Sequence, residues 1–89
     1  MVTGIVLINV ERAMISNVID GLMKIDGVSE VYTVAGEYDL VAMIRVASNA
    51  QLAEIIATKM TSDIKGILHT KTLISLNANA KVDLTAFLG

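Results

Sequence analysis

The chain has no cysteine, no proline and no tryptophan, and a single histidine. Without cysteine no disulfide can staple a small fold, and one imidazole cannot build a transition-metal cluster, so no metal and no cofactor is expected. No Pro-rich, Ser-rich or low-complexity linker divides the sequence. Long hydrophobic runs are missing as well. Although 54% of the residues are hydrophobic, Asn9, Arg45 and Lys71 are among those that break the apolar runs before any could cross a bilayer. Met1 leads directly into a strand-like run with neither a basic n-region nor a small-residue cleavage site, so no signal peptide is read and a cytoplasmic protein is expected. Charge of one sign is scarce too. Seven Lys and Arg against nine Asp and Glu leave a formal net charge of −2, and the scattered basic residues offer phosphates no patch, which argues against direct nucleic-acid binding.

At 89 residues there is room for one core only. A chain of this size buries about 60 to 65% of its unfolded surface and is marginal alone. With disulfides and metals excluded, oligomerisation is the remaining source of stability.

What the sequence does contain is a regular alternation of strand and helix patterns. Val2 to Val10 is β-branched and apolar on both period-two faces, as in a strand buried on both sides. From Ala13 to Lys24 the period changes, with Met14, Ile15, Val18, Ile19, Leu22 and Met23 on one helix stripe. Lys24 and Asp26-Gly27 end it, the glycine being able to take the left-handed conformation. Val28 to Ala35 and Leu40 to Ala47 are strands joined at Gly36-Glu37-Tyr38-Asp39, where Gly36 supplies the positive φ of a tight turn. Ser48 and Gln51 form a capping box that opens a second helix with Leu52, Ile55, Ile56 and Met60 inward, closed by Ser62-Asp63 and Gly66. A last strand runs from about Ile67 to Leu76.

The order strand, helix, strand, strand, helix, strand predicts an α+β fold, the ferredoxin-like βαββαβ sandwich, with an antiparallel four-stranded sheet over residues 1–76. Residues 77–89, with Val82, Leu84, Phe87 and Leu88, are expected to form a C-terminal edge strand or an arm that docks on a neighbour. Right-handed crossovers put both helices on one face of the sheet and leave the other bare. Yet the strands are apolar on both faces: Val6, Ile8 and Val10 against Ile5 and Leu7, and Leu40, Ala42 and Ile44 against Val41 and Met43. Leaving four such side chains exposed forfeits about 6 to 12 kcal/mol, comparable with the net stability of a domain. A homodimer packed sheet to sheet is therefore expected.

Few residues suggest chemistry. No Gly-rich phosphate loop, nucleophile elbow or zinc spacing is present, so no catalytic residue is assigned. The hairpin tip Gly36 to Asp39 has backbone N–H groups for an anion and a carboxylate for a cation, which suits a zwitterion; it also reads as a plain turn in which Asp39 satisfies its own loop and Tyr38 packs. Thr70 and Thr72 point to one face and could donate to a carboxylate, or serve simply as good strand residues. His69 points to the opposite face from Thr70. Arg45 ends the third strand, where an acid could pair with it. Met14, Met23, Met43 and Met60 are read as core filler.

The Asp26-Gly27-Val28 run, the pattern at Val34, Gly36, Tyr38 and Asp39, and Gly66-Ile67 with Thr70-Lys71-Thr72 resemble the C-terminal effector-binding (RAM) domain of the Lrp/AsnC transcription regulators. The resemblance implies a domain that dimerises through its sheet, assembles into octamers or other rings of dimers, and binds small molecules, typically amino acids, between dimers. It implies that Gly36, Tyr38, Asp39, Thr70 and Thr72 line the ligand site. The family's N-terminal helix-turn-helix domain has no counterpart here, so a stand-alone form is expected, reaching transcription through mixed assembly with a full-length regulator. Two other functions fit the fold class: a small enzyme of the dimeric α/β-barrel type, such as a cofactor-free monooxygenase or isomerase, for which His69 or Arg45 would have to point inward, and a purely structural oligomeriser.

Overall fold

The computed structural model describes residues 1–81. Strand β1 spans Val2–Val10 and a 3₁₀ turn over Arg12–Met14 leads into helix α1, Ile15–Met23. Strands β2, Val28–Thr33, and β3, Leu40–Val46, form the hairpin. Helix α2, Asn49–Glu54, continues as a π-helical turn over Ile55–Met60 before strand β4, Ile67–Ile74. The sheet has the order β2-β3-β1-β4 with every neighbouring pair antiparallel, the ferredoxin-like arrangement.

Local chemistry explains each boundary. Between α1 and β2 the chain reverses at Gly27, whose φ of 101° is open to glycine at little cost. The Ser48 hydroxyl accepts from the Gln51 N–H at 3.2 Å, while the Gln51 side-chain oxygen accepts from the Ala47 N–H at 2.8 Å. The capping box thus reaches one residue further back than its usual form. Several elements are shorter than expected. The expected strand to Ala35 ends at Thr33, the one to Ala47 at Val46, and the one to Leu76 at Ile74, because the main chain turns into loops there; one further bond, Ser75 N–H to the Thr3 carbonyl at 2.9 Å, follows β4. The first helix is α only from Ile15, its opening turn being 3₁₀. Residues 77–81 carry no strand and are exposed, and the rest of the expected edge strand or arm lies outside the described residues.

The core lies between the helices and one face of the sheet. Val6, Ile8, Leu40, Ala42 and Ile44 are fully buried against Val18, Leu22, Leu52, Ile55 and Met60. Apart from the small Ala42, each of these side chains contributes roughly 1.5 to 3 kcal/mol of burial. Two of the methionines read as core filler do not fill it. Met23 is 51% exposed at the end of the α1 stripe, and Met43 opposes Ile5 on the other sheet face.

Pairing partners in an antiparallel ladder share a face, and the register divides the strands cleanly. Ile5 pairs with Met43 and Leu73, and Leu7 with Val41 and Lys71, on the face that carries no helix among the described residues. Ile5, Leu7, Val41 and Met43 remain partly exposed there, and Leu73 is 45% exposed. Among the described residues the expected bare apolar face is present.

Candidate functional site

The hairpin between β2 and β3 is bound to the end of β1 by a closed set of hydrogen bonds. The Val34 N–H donates to the Asp39 carbonyl at 3.0 Å, and the Asp39 N–H donates to the Ile8 carbonyl at 2.9 Å. The Asp39 carboxylate accepts the Val10 N–H at 2.9 Å, and the Asn9 side-chain amide donates to the Glu37 carbonyl at 2.8 Å. Asp39 therefore does not satisfy its own loop alone. Its carboxylate takes the place of a ladder partner for β1, at the point where the β1–β3 pairing stops at Ile8 and Leu40.

Inside this frame Gly36 has a φ of 142° and open space on its Cβ side. Among the described residues the main-chain N–H groups of Gly36, Glu37 and Tyr38 make no hydrogen bond within the chain, so they are available to an anion in the manner of a backbone nest. Tyr38 and Asp39 are partly buried, whereas Gly36 and Glu37 are exposed.

Thr70 and Thr72 lie elsewhere. Thr70 pairs with Ile8 and Thr72 with Val6, so both hydroxyls share the helix-covered face, at the partly buried margin formed by edge strand β4. Leu40, next to Asp39, pairs with Ile8, which in turn pairs with Thr70. Two strand spacings, about 10 Å, therefore separate the loop's base from Thr70. One chain brings Gly36, Tyr38 and Asp39 together, and Thr70 with Thr72, but it does not bring the two groups into contact.

A second polar cluster lies on the bare face. Between Val28 and Glu30 the register of β2 slips, so that Ser29 and Glu30 together oppose Met43. This bulge brings both side chains to Arg45. The Arg45 guanidinium donates to Glu30 at 2.6 Å and to the Ser29 hydroxyl, and the Tyr32 hydroxyl donates to the other Glu30 oxygen. The Tyr32 hydrogen bond, followed by that from Arg45, holds the Glu30 carboxyl below its ordinary range, and the same Glu30 contact raises the Tyr32 phenol. Periodicity points to neither Glu30 nor Ser29, because a bulge leaves no mark in an alternating pattern. His69, opposite Asn9, is on the bare face as well and is exposed.

The helix side carries a cleft of about 430 Å³ whose lining includes Lys24, Asp26, Lys59 and Asp63. None of the five expected site residues lines it. Among the described residues no group of three or more His, Asp or Glu side chains could hold a metal. No helix among them is long and apolar enough to cross a membrane.

The model of the Lrp/AsnC ligand binding domain family matches residues 3–81. The HTH-type transcriptional regulator FL11 of Pyrococcus furiosus is 31% identical over 78 residues, which make up 88% of this chain and 50% of that protein. Among solved structures, TTHA0845 from Thermus thermophilus superposes with a TM-score of 0.83 at 28% identity, covering 91% of this chain and 100% of the other. A feast or famine regulatory protein of M. tuberculosis, solved in complex with L-methionine, gives a TM-score of 0.73 at 26% identity, over 88% of this chain and 52% of that one. The chain spans 38 to 50% of the length of the curated regulators it matches.

Proposed function

The chain belongs to the Lrp/AsnC ligand binding domain family, and on that premise we propose that it is an effector-binding and oligomerisation module that takes an amino acid at the Gly36–Asp39 loop. The observation that carries the reading is the pinned loop. Four hydrogen bonds fix its frame while the N–H groups of Gly36, Glu37 and Tyr38 have no partner among the described residues, which is the arrangement a carboxylate needs. The L-methionine bound by the M. tuberculosis protein makes that amino acid the first ligand to try.

The bare face supports the second half of the proposal. Ile5, Leu7, Val41, Met43 and Leu73 form an apolar patch across three strands, and a second copy packed sheet to sheet would bury it. Dimers then assemble into an octamer or another ring. The distance between the loop and Thr70 also favours a shared site, in which the loop of one subunit and Thr70 with Thr72 of another enclose one ligand. The ligand shifts assembly by its differential affinity for the states it bridges. Acting in the cytoplasm, the module influences genes of amino acid metabolism by mixed assembly with a regulator that carries a helix-turn-helix domain. Co-purification that recovers only the homo-oligomer would count against that last step.

No catalytic role is assigned. An enzyme of the dimeric α/β-barrel type would need His69 or Arg45 turned into the core, but the register puts both on the bare face, and no polar or charged residue is buried among those described.

The test is a thermal-shift panel of the twenty amino acids, with mass followed by light scattering. A ligand at a hundred times its dissociation constant adds about 2.7 kcal/mol per site, a shift of several degrees for a domain this size. Binding of one or a few amino acids, lost in Gly36→Ala, supports the reading. A stable ring that responds to none leaves an assembly module or a binder of something other than an amino acid.

A further inference from the structure

Resting on the reading of the Gly36–Asp39 loop as the ligand site, we propose that Asn9, a residue of β1 that need not touch the ligand, is the positioning residue that aims the Tyr38 N–H at the ligand's carboxylate. One peptide plane decides the geometry. The Asn9 side-chain amide donates to the Glu37 carbonyl at 2.8 Å across 28 positions of sequence. The carbonyl of Glu37 and the N–H of Tyr38 belong to one planar trans peptide and point in opposite directions. Holding the carbonyl toward the end of β1 therefore turns the Tyr38 N–H away from it, and that N–H has no partner among the described residues.

The neighbouring bonds give Asn9 its leverage. The Asp39 N–H and carboxylate are already bound to Ile8 and Val10, and Val34 closes the loop on the Asp39 carbonyl. These fix the base of the loop but not the orientation of the peptide at its tip. Among the described residues, the Asn9 bond is the one hydrogen bond from β1 to that peptide. Just beyond it, the Glu11 N–H donates to the Gly66 carbonyl at 2.9 Å, so the same end of β1 also anchors the start of β4, the strand that carries Thr70 and Thr72.

The test compares L-methionine with L-methioninamide, which lacks the carboxylate, by calorimetry on the full chain; if methionine gives no heat, the amino acid with the largest thermal shift and its amide replace it. Wild type should prefer the acid. In Asn9→Ala the preference should narrow about three- to tenfold, with less ligand-induced protection of the Tyr38 amide from hydrogen exchange and little change in melting temperature. Asn9→Gln, which keeps the amide donor, should restore part of the preference. Equal weakening of acid and amide in Asn9→Ala, or an unchanged ratio, overturns the role of Asn9 while leaving the loop as the site. If wild type binds no amino acid, the reading of the loop fails and the inference fails with it.

Discussion

Arg45 and Glu30 are 2.6 Å apart, guanidinium to carboxylate, with only 9% of the Arg45 side chain exposed. They meet on the face of the sheet that carries no helix, where an unpaired arginine would be costly to cover with a second subunit. The pair makes that face neutral at its β2 margin while its centre stays apolar.

A pH dependence follows from this pair. Glu30 is held below its ordinary value of 4.5, first by Tyr32 and then by Arg45. A carboxylate with a lowered folded-state pKa contributes stability that is present above the unfolded value and is lost as pH falls through the folded one. The loss begins near pH 4.5 and is complete below the folded pKa of Glu30. Glu30→Gln should flatten this part of the acid limb in denaturant titrations run at successive pH values. Tyr32→Phe should raise the Glu30 pKa toward its ordinary value, read by carboxyl NMR. Arg45→Met, which keeps much of the stem, should cost about 1 to 2 kcal/mol at neutral pH, discounted for the partial exposure of Glu30.

The bare face can be tested by charge. Leu7 and Val41 oppose each other at its centre, so Leu7→Asp or Val41→Asp should convert the assembly to smaller species in sedimentation or light scattering. Both variants should keep their helical circular dichroism at high protein concentration, since neither side chain is part of the helix-covered core. A mass unchanged by either substitution would rule out this face as the interface.

Two glycines with positive φ should respond differently to alanine. At Gly27 an added Cβ would lie 2.8 Å from Val46 Cγ1 and 3.1 Å from Ile55 Cδ1, so backbone strain and overpacking add to a loss of about 2 to 4 kcal/mol. At Gly36 nothing among the described residues lies within 4 Å, leaving only the conformational cost of about 1 to 3 kcal/mol. Urea midpoints should rank Gly27→Ala as the more damaging. Amino acid binding should rank Gly36→Ala first.

Ser48→Ala removes the acceptor for the Gln51 N–H and should lower stability by about 1 kcal/mol. Ser48→Asp should keep most of it, as judged by thermal melts of the two variants side by side.

Much of the fold can be read from the sequence because it depends on signals a few residues long. The two apolar faces of β1, the glycine stop at Gly27, the cap at Ser48 and the positive φ of Gly36 are each local, and each is found where the pattern puts it. The threonine pair and His69 also fall on opposite faces, as alternation requires. What cannot be read depends on contacts between distant segments. The bulge that brings Ser29 and Glu30 to Arg45 arises only from pairing with β3. The bond from Asn9 to Glu37 joins residues whose separation in sequence says nothing of their proximity. The position of Thr70 and Thr72 away from the loop requires the strand order, and the exposure of Met23 at the end of the α1 stripe is visible only once the helix is packed.

The π turn over Ile55–Met60 has a consequence for how this domain tolerates length change. A turn closed between residues five apart holds one residue more than an α turn, and here it puts Ile55 and Met60, five apart, both into the core. Deleting Ala57 would let the segment close as ordinary α-helix with Ile55 and Met60 still one turn apart, so the helix has room to lose a residue at that point without shifting the frame of everything after it. An insertion there would have no such slack, and would push Met60 out of register with the sheet beneath it.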